Sequence, residues 1–308
     1  MWIHALESGE INVKDTRFVF LKSPTVYAEP VYESRSASAW RIFLRDRRAM
    51  VASGILLLLI VLSALAFLSP YDPNELAVDQ KLLPPSGSHW FGTDEYGRDY
   101  FTRILYGGQV SLAVGFFAMI ISVSIGILVG TVSGYFGGVI DNILMRILDI
   151  FMSLPSFFLI MILSAYLKLG IVSIILIIGL LSWMEVARIV RAQTLTLKSR
   201  EYVLYAKTTG ASLGRIIWKH VIPGTIPSIT VAASLNIAYA ILTESSLSFL
   251  GLGIKQPDSS WGSMLNSAQG FMSNAAYLAI FPGIFIVLLI LSFNIIGNSL
   301  QKITEPKE

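Results

Sequence analysis

Residues Val110–Val132 have the sequence VSLAVGFFAMIISVSIGILVGTV, which contains no charged side chain. An uncharged, mostly apolar stretch of about 18 or more residues is long enough to cross a bilayer as a helix. In hydrocarbon the backbone polar groups have to be satisfied within the segment, which favours a helix over irregular structure. The stretch therefore predicts a transmembrane helix in an integral membrane protein.

Five further blocks of this kind lie along the chain, and the charged residues collect between them. Of the 308 residues, 54% are hydrophobic and only 14% are charged, whereas soluble domains average about 25% charged residues. We expect an all-α polytopic bundle of about six transmembrane helices. The predicted spans are Met50–Leu68, Val110–Val132, Ile150–Leu167 with Pro155 in its first turns, Leu169–Met184 continuing to about Val190, Val221–Thr243 and Ala275–Leu300.

The distribution of lysine and arginine predicts the orientation in the cell membrane. With a cytoplasmic N-terminus, 18 of the 23 basic residues fall in inner segments and the other 5 in outer loops. Cytoplasmic segments carry an excess of these residues, so we expect both termini inside the cell. The predicted organisation is a cytoplasmic arm over residues 1–49, a first span over 50–68, an extracytoplasmic loop over 69–109, a core transmembrane domain over 110–300 and a cytoplasmic tail over 301–308.

The arm ends in a basic amphipathic segment, Ser36–Ala49, in which Trp40, Phe43 and Leu44 stand among four arginines. Such a helix can lie on an anionic membrane surface. A solvated approach to the first span explains the same pattern, and the sequence does not separate the two interpretations.

The inner loop between the fourth and fifth spans, over residues 199–223, is the most informative connection. It reads SREYVLYAKTTGASLGRIIWKHVIP. Ser199 and Glu201 are suited to open a helix, and Gly210 is suited to end it in a left-handed conformation. Ser212 can cap a second helix, Ser212–Val221, limited by Pro223. A helical inner loop of this size can fit a groove on another protein, although helix–Gly–helix geometry alone also describes a basic loop on lipid headgroups.

The residue pattern of this loop favours the first interpretation. Glu201, Ala206, Gly210, Ile216 and Pro223 resemble, in type and separation, the EAA loop of importers of the ATP-binding-cassette superfamily, which contacts the ATPase. Tyr205 departs from it, standing where the first alanine is expected, and the end of the motif matches loosely. The candidate coupling residues are Glu201, Tyr205, Ala206, Gly210, Ala211, Ser212, Ile216 and Pro223.

Stretches outside the loop narrow the resemblance to the C-type subunits of peptide and nickel permeases, over about Trp40 to Ile296. Gln109 departs from it, replacing a residue that is usually basic. The resemblance implies a heterodimer with a B-type permease, two cytoplasmic ATPase subunits and an external substrate-binding protein. The stretches that carry it are Phe91–Arg103, Gly107–Gly108, Ser111–Leu112, Gly137–Gly138, Asp141, Leu144–Arg146, Asp149, Pro155, Glu244–Gly253 and Pro257 with Trp261–Gly262.

ATP hydrolysis is expected in the partners, because the sequence has no Gly-x-x-x-x-Gly-Lys-Ser/Thr phosphate-binding loop. We therefore expect this chain to bind no cofactor, with ATP and magnesium held by the ATPase subunits, and to form half of a peptide path by alternating access. Nickel or another small solute is an alternative cargo. An ATP-independent secondary transporter, which needs intramembrane ionisable groups and an internal repeat, or a structural subunit are alternative classes. No metal site and no nucleic-acid surface are expected.

Three further groups of residues are candidates outside the loop. Gly126, Gly130 and Gly134 recur every four residues, a spacing that lets helices approach closely in lipid. Glu244 and Asn236, eight residues apart, are candidates for the path or a gate, or Glu244 anchors the outer end of its span. The last group forms either a salt-bridged surface turn with a helix cap or a docking site for the binding protein; it consists of Asp94, Arg98, Asp99 and Arg103.

Overall fold

The computed structural model describes residues 42–167 and 170–304 of the chain, so most of the predicted arm lies outside the described residues. The described residues form helices and connecting loops without a named strand. In chain order the helices are α1 Arg47–Ala64, α2 Tyr100–Phe136, α3 Gly138–Met152, α4 Ser156–Tyr166, α5 Ile171–Leu181, α6 Trp183–Lys198, α7 Glu201–Thr208, α8 Leu213–Ile216, α9 Ile222–Phe249, α10 Trp261–Ala268 and α11 Tyr277–Thr304.

Five stretches of helix are long and apolar enough to cross a membrane, and a sixth is gained if α3 and α4 together count as one span. The predicted all-α membrane architecture is therefore confirmed. The five stretches are Arg47–Ala64, Tyr100–Phe136, Ile171–Lys198, Leu213–Phe249 and Tyr277–Ile303.

The third predicted span, Ile150–Leu167, is wrong as a single straight helix. The chain bends by 75° between α3 and α4, and Pro155 stands at the N-cap of α4 with extended backbone angles. Proline has no backbone N–H and disfavours helical geometry in the residue before it, so the helix cannot run through this point. The uncharged block thus contains the end of one helix and all of the next.

Two segments assigned to outer loops are partly helical. The helix α2 begins at Tyr100, ten residues before the uncharged block, because the carboxylate of Asp99 accepts a hydrogen bond from the backbone N–H of Thr102 at 2.8 Å and caps it. In the second outer loop, Ser260 and Ser263 form a capping box that starts α10. Local caps, and not hydrophobicity, decide both starting points.

The helix α10 is inserted among the long helices of the bundle. The ring of Trp261 is fully buried, and its indole N–H donates to the carbonyl of Ile104 on α2 at 2.8 Å. Its apolar surface joins a cluster that includes Leu59 of α1, Ile241 of α9 and Leu289 of α11. One short helix of an outer loop therefore ties four long helices together.

The central contact of the bundle lies between α2 and α6. Gly126, Gly130 and Gly134 face α6, where the backbone of α6 passes directly over them. A Cβ atom at Gly130 would lie 2.5 Å from the carbonyl oxygen of Ala187, and one at Gly134 would lie 2.8 Å from that of Arg191. Glycine is required here because any side chain would push the two helices apart.

We predict that Gly130→Ala destabilises the protein, because the added methyl group meets backbone that cannot move aside. The expected loss is about 2 kcal/mol, as for other overpacked positions, measured by thermal unfolding of the detergent-solubilised protein. The control is Gly54→Ala in α1, where a Cβ meets nothing within 4 Å. Equal unfolding temperatures for the two variants would contradict close packing at Gly130.

Candidate functional site

The helix α7 ends at a glycine in the left-handed conformation. Gly210 has φ +80°; its N–H donates to the carbonyl of Lys207 at 3.2 Å, and the N–H of Ala211 donates to that of Ala206 at 3.0 Å. These two bonds are those of a Schellman motif, which turns the chain sharply after a helix. A Cβ at Gly210 would meet no atom within 4 Å, so only the backbone angle requires glycine.

The loop has a small apolar core of its own. Val203 of α7, Ile216 of α8 and Val221 are almost completely buried, and Tyr135 at the end of α2 packs against them. This core fixes α7 against the chain that follows it. The loop between the spans is therefore a defined structural unit attached to the end of α2.

The predicted C-terminal end of the second loop helix is wrong, whereas its predicted start at Ser212 agrees with the structure. Pro223 does not stop it, because α8 continues through a π-helical turn at Ile217–Val221 into α9. Proline in the first turn of a helix needs no backbone N–H partner there, and the π turn adjusts the hydrogen bonding before it. Leu213–Phe249 is accordingly one continuous stretch of helix.

Neither of the two serines predicted to cap the loop helices makes a capping hydrogen bond. The hydroxyl of Ser199 donates to the carbonyl of Thr196 in the preceding helix, and Arg200 occupies the N-cap of α7 without a side-chain hydrogen bond. Ser212 does stand at the N-cap of α8, but its side chain makes no cap bond.

One face of the loop is exposed and lines a recess of about 740 Å³. Glu201, in the first turn of α7, is exposed and makes no ion pair or hydrogen bond through its carboxylate with any described residue. Tyr205, which departs from the family pattern, is 71% exposed. The other lining residues are Tyr202, Ala206, Thr209, Ala211, Arg215, Lys219 and His220.

Polar contacts join α6, which leads into the loop, to the helices α2 and α3. The guanidinium of Arg191 donates two hydrogen bonds to the carboxylate of Asp141, both at 2.6 Å, and Asp141 also accepts one from Ser133. The ammonium of Lys198 donates to the carbonyl of Gly134 at 2.9 Å. A bidentate pair fixes orientation as well as distance.

Glu244 is fully buried, and its carboxylate is surrounded by serine hydroxyls from three parts of the fold. Ser248 donates to it at 2.7 Å and Ser260 at 2.6 Å, while Ser111 and Ser245 lie at 3.4 Å. The carboxylate of Glu244 therefore connects α2, α9 and the N-cap of α10. Glu244 therefore faces protein in this structure.

Asp94, Arg98, Asp99 and Arg103, called the outer cluster below, are all buried. The expectation that they form an exposed surface turn is therefore wrong. Asp94 accepts from the guanidinium of Arg98 at 2.6 Å and lies 3.5 Å from that of Arg103, while Asp99 caps α2 and contacts His89 at 2.9 Å. Beside them a cavity of about 180 Å³ reaches Lys255.

The carboxyl of Glu95 lies next to this cluster. Its burial raises the pKa of Glu95 above the ordinary value for a glutamate.

A second cavity, of about 310 Å³, lies between α6 and α9 inside the membrane-spanning region. Asn236 lines it, and its amide N–H₂ lies 3.5 Å from the carbonyl oxygen of Ser182. Glu185 and Tyr239 line the same cavity. Neither of these two residues was predicted as a site residue from the sequence. Tyr239 lies one helical turn after Asn236, a spacing that predicts a shared face.

Comparison with known proteins agrees with the geometry of the loop and the spans. Residues 123–308 match the family of binding-protein-dependent transport system inner membrane components. Residues 34–85 match the N-terminal transmembrane domain of oligopeptide transport permease C.

Several curated relatives are similar to this chain over most of its length. The dipeptide transport system permease protein DppC of Bacillus subtilis is 42% identical, over 89% of this chain and 86% of its own. The glutathione transport system permease protein GsiD of Pectobacterium atrosepticum is 40% identical, over 87% and 90%. The oligopeptide transport system permease protein OppC of Bacillus subtilis is 37% identical, over 98% and 96%.

These matches cover both the spans and the loop between α6 and α9. The chain is a multi-pass membrane protein and a transport subunit, and it belongs to the family of binding-protein-dependent transport system inner membrane components.

Proposed function

We propose that this chain forms one half of the path of an ATP-driven peptide importer and couples that path to ATP hydrolysis in a separate subunit. The observation that carries the proposal is the loop over residues 199–223. This loop has its own apolar core. At a recess it exposes aromatic side chains and the carboxylate of Glu201, which is unpaired among the described residues. The loop also continues directly into a membrane-spanning helix.

The partners follow from the same proposal. A B-type permease completes the path, two cytoplasmic ATPase subunits hold ATP and magnesium, and an external substrate-binding protein delivers the cargo. The buried outer cluster of Asp94, Arg98, Asp99 and Arg103 supports the surface on which that protein docks, because it fixes the loop before α2. Both termini and the loop over residues 199–223 lie in the cytoplasm.

Peptides are the proposed cargo. The relatives named above are permeases for a dipeptide, an oligopeptide and glutathione, which share a peptide backbone. In the proposed cycle, ATP draws the two ATPase subunits together and the loop moves with the one it touches. A ligand shifts a conformational equilibrium only through differential contacts, and the continuous helix Leu213–Phe249 transmits that difference into the membrane.

The orientation is tested by cysteine labelling, since the chain has no native cysteine. We predict that a cysteine at Lys207, exposed in the loop, reacts with a membrane-impermeant maleimide only when the reagent has access to the cytoplasmic side. A cysteine at Asn74, exposed in the first outer loop, is the control with the opposite expectation. Labelling of Lys207→Cys from outside intact cells would show that the loop faces outward and would contradict the proposal.

Coupling is tested at the left-handed turn. We predict that Gly210→Ala lowers ATP-driven peptide uptake by the assembled transporter, because a left-handed residue with a Cβ costs roughly 1–2 kcal/mol and distorts the turn. Gly214→Ala is the matched control: it lies four residues on, within α8, without positive φ and with open space around it.

The charge-reversed variant Glu201→Arg addresses the same contact without straining the backbone. We expect it to retain assembly in the membrane, to lose most peptide uptake and to leave ATP hydrolysis unresponsive to the loaded binding protein. Normal uptake by Glu201→Arg and Gly210→Ala together would contradict the coupling role of the loop.

A further inference from the structure

The cavity between α6 and α9 combines an apolar wall with a few polar groups, and it lies near the middle of the helical stretch Ile171–Lys198. Its polar lining comes from Ser156, Ser182, Glu185, Asn236 and Tyr239. From the start of α5 at Ile171 to Glu185 is roughly 21 Å of helix, in a helical stretch of 28 residues. The cavity therefore lies deep in the span and not at its ends.

The helix is interrupted at this level. Ser182 separates α5 from α6, and its backbone leaves the helical region with φ −109° and ψ 0°. Its hydroxyl donates to the carbonyl of Ile178 at 2.7 Å, which satisfies one of the carbonyls freed by the break. Irregular backbone at membrane depth is tolerated only where it is buried in protein or lines a cavity, and discontinuous helices mark the substrate sites of many transporters.

Glu185 is exposed and carries no partner among the described residues. The basic groups nearest to it in α6 are committed elsewhere, since Arg188 pairs with Asp149 at 2.6 Å and Arg191 pairs with Asp141. The other glutamate of the spans, Glu244, is buried and has four serine hydroxyls around it. Glu185 is thus a carboxylate in a membrane-spanning stretch of helix, and none of the described residues uses its hydrogen-bonding capacity.

An ionised carboxylate at this depth is costly unless it faces water or a cation. A carboxylate accepts hydrogen bonds and does not donate them, and its strongest hydrogen bonds are those to a cationic donor. A peptide at neutral pH carries such a group at its amino terminus.

We propose that this cavity is the part of the peptide path contributed by this chain, and that Glu185 binds the protonated amino group of the passing peptide. Asn236 and Tyr239 supply neutral hydrogen-bonding groups beside it. Met152, Met184 and Leu235 form an apolar wall, and the flexible methionines allow that wall to fit peptide side chains of different shapes. The inference rests on the proposed function and deepens it by assigning the charge-recognising residue.

The first test measures the electrostatic potential of the cavity. A cysteine introduced at Tyr239 is the only thiol of the chain, and its reaction rates with a cationic and an anionic methanethiosulfonate are compared in the assembled transporter. We expect the ratio of cationic to anionic rates to fall roughly fivefold when Glu185→Gln is added, since a unit charge is removed nearby. Peptide supplied with its binding protein should slow the labelling.

The control is a cysteine at Leu242, which is 49% exposed on the same helix but does not line the cavity. Its rate ratio should not respond to Glu185→Gln. A ratio at Tyr239→Cys that is also unchanged would show that the carboxylate does not face the cavity, and would overturn the assignment.

The second test measures uptake into proteoliposomes that contain the complete transporter. For a peptide with a free amino terminus, we expect Glu185→Gln to lower the uptake rate about tenfold, which is typical of losing a hydrogen bond to a charged group, and Glu185→Asp to recover most of it. For the N-acetylated form of a peptide that the binding protein accepts, the same substitution should change the rate little. ATP hydrolysis stimulated by the loaded binding protein should persist.

The outcomes separate this inference from the function on which it rests. If the unaltered transporter shows no ATP-dependent peptide uptake, the proposed function itself fails. If it does transport, but Glu185→Gln affects free and acetylated peptides equally, the carboxylate does not recognise the amino group. If Glu185→Gln instead prevents the two permeases from assembling, Glu185 pairs with the partner permease and the substrate assignment is wrong.

Discussion

The close approach of α2 and α6 is the contact on which the arrangement of the bundle depends. Apolar side chains gain nothing by leaving lipid for one another, so helices in a membrane are held by tight packing and polar contacts. At Gly126, Gly130 and Gly134 the backbone of α6 lies where side chains would otherwise stand. That registration places the pair of Arg191 with Asp141 near the Gly134 end of the contact. The break at Ser182, just before α6 begins, lies beyond the Gly126 end.

Polar groups inside the spans divide into those that are satisfied and those that are not. Glu244 is enclosed by hydroxyls and joins α2, α9 and α10, so its burial stabilises one arrangement of the outer half of the bundle. Glu185 has no such enclosure and lines a cavity. The same residue type in two surroundings therefore serves structure in one place and, in our proposal, recognition in the other.

The sequence predicted the membrane-spanning helices and the left-handed turn at Gly210 because both depend on local properties, namely hydrophobic length and backbone conformation. It did not predict the bend before Pro155 or the inserted helix α10, since hydrophobicity averages over a break and gives no weight to a cap. It also missed Glu185, which sits in a charged stretch near Arg188. Only the fold shows that Arg188 is paired with Asp149.

The continuity of α8 with α9 decides how the loop can act on the path. Had Pro223 ended the second loop helix, a flexible joint would have separated the loop from the span, and motion of the loop would have been absorbed there. Instead the π turn at Ile217–Val221 carries the helix through, and Asn236 lies on the same continuous stretch, lining the cavity that holds Glu185. The stretch therefore connects the loop to one wall of that cavity without a non-helical segment between them, which gives a displacement of the loop a direct route to the cavity.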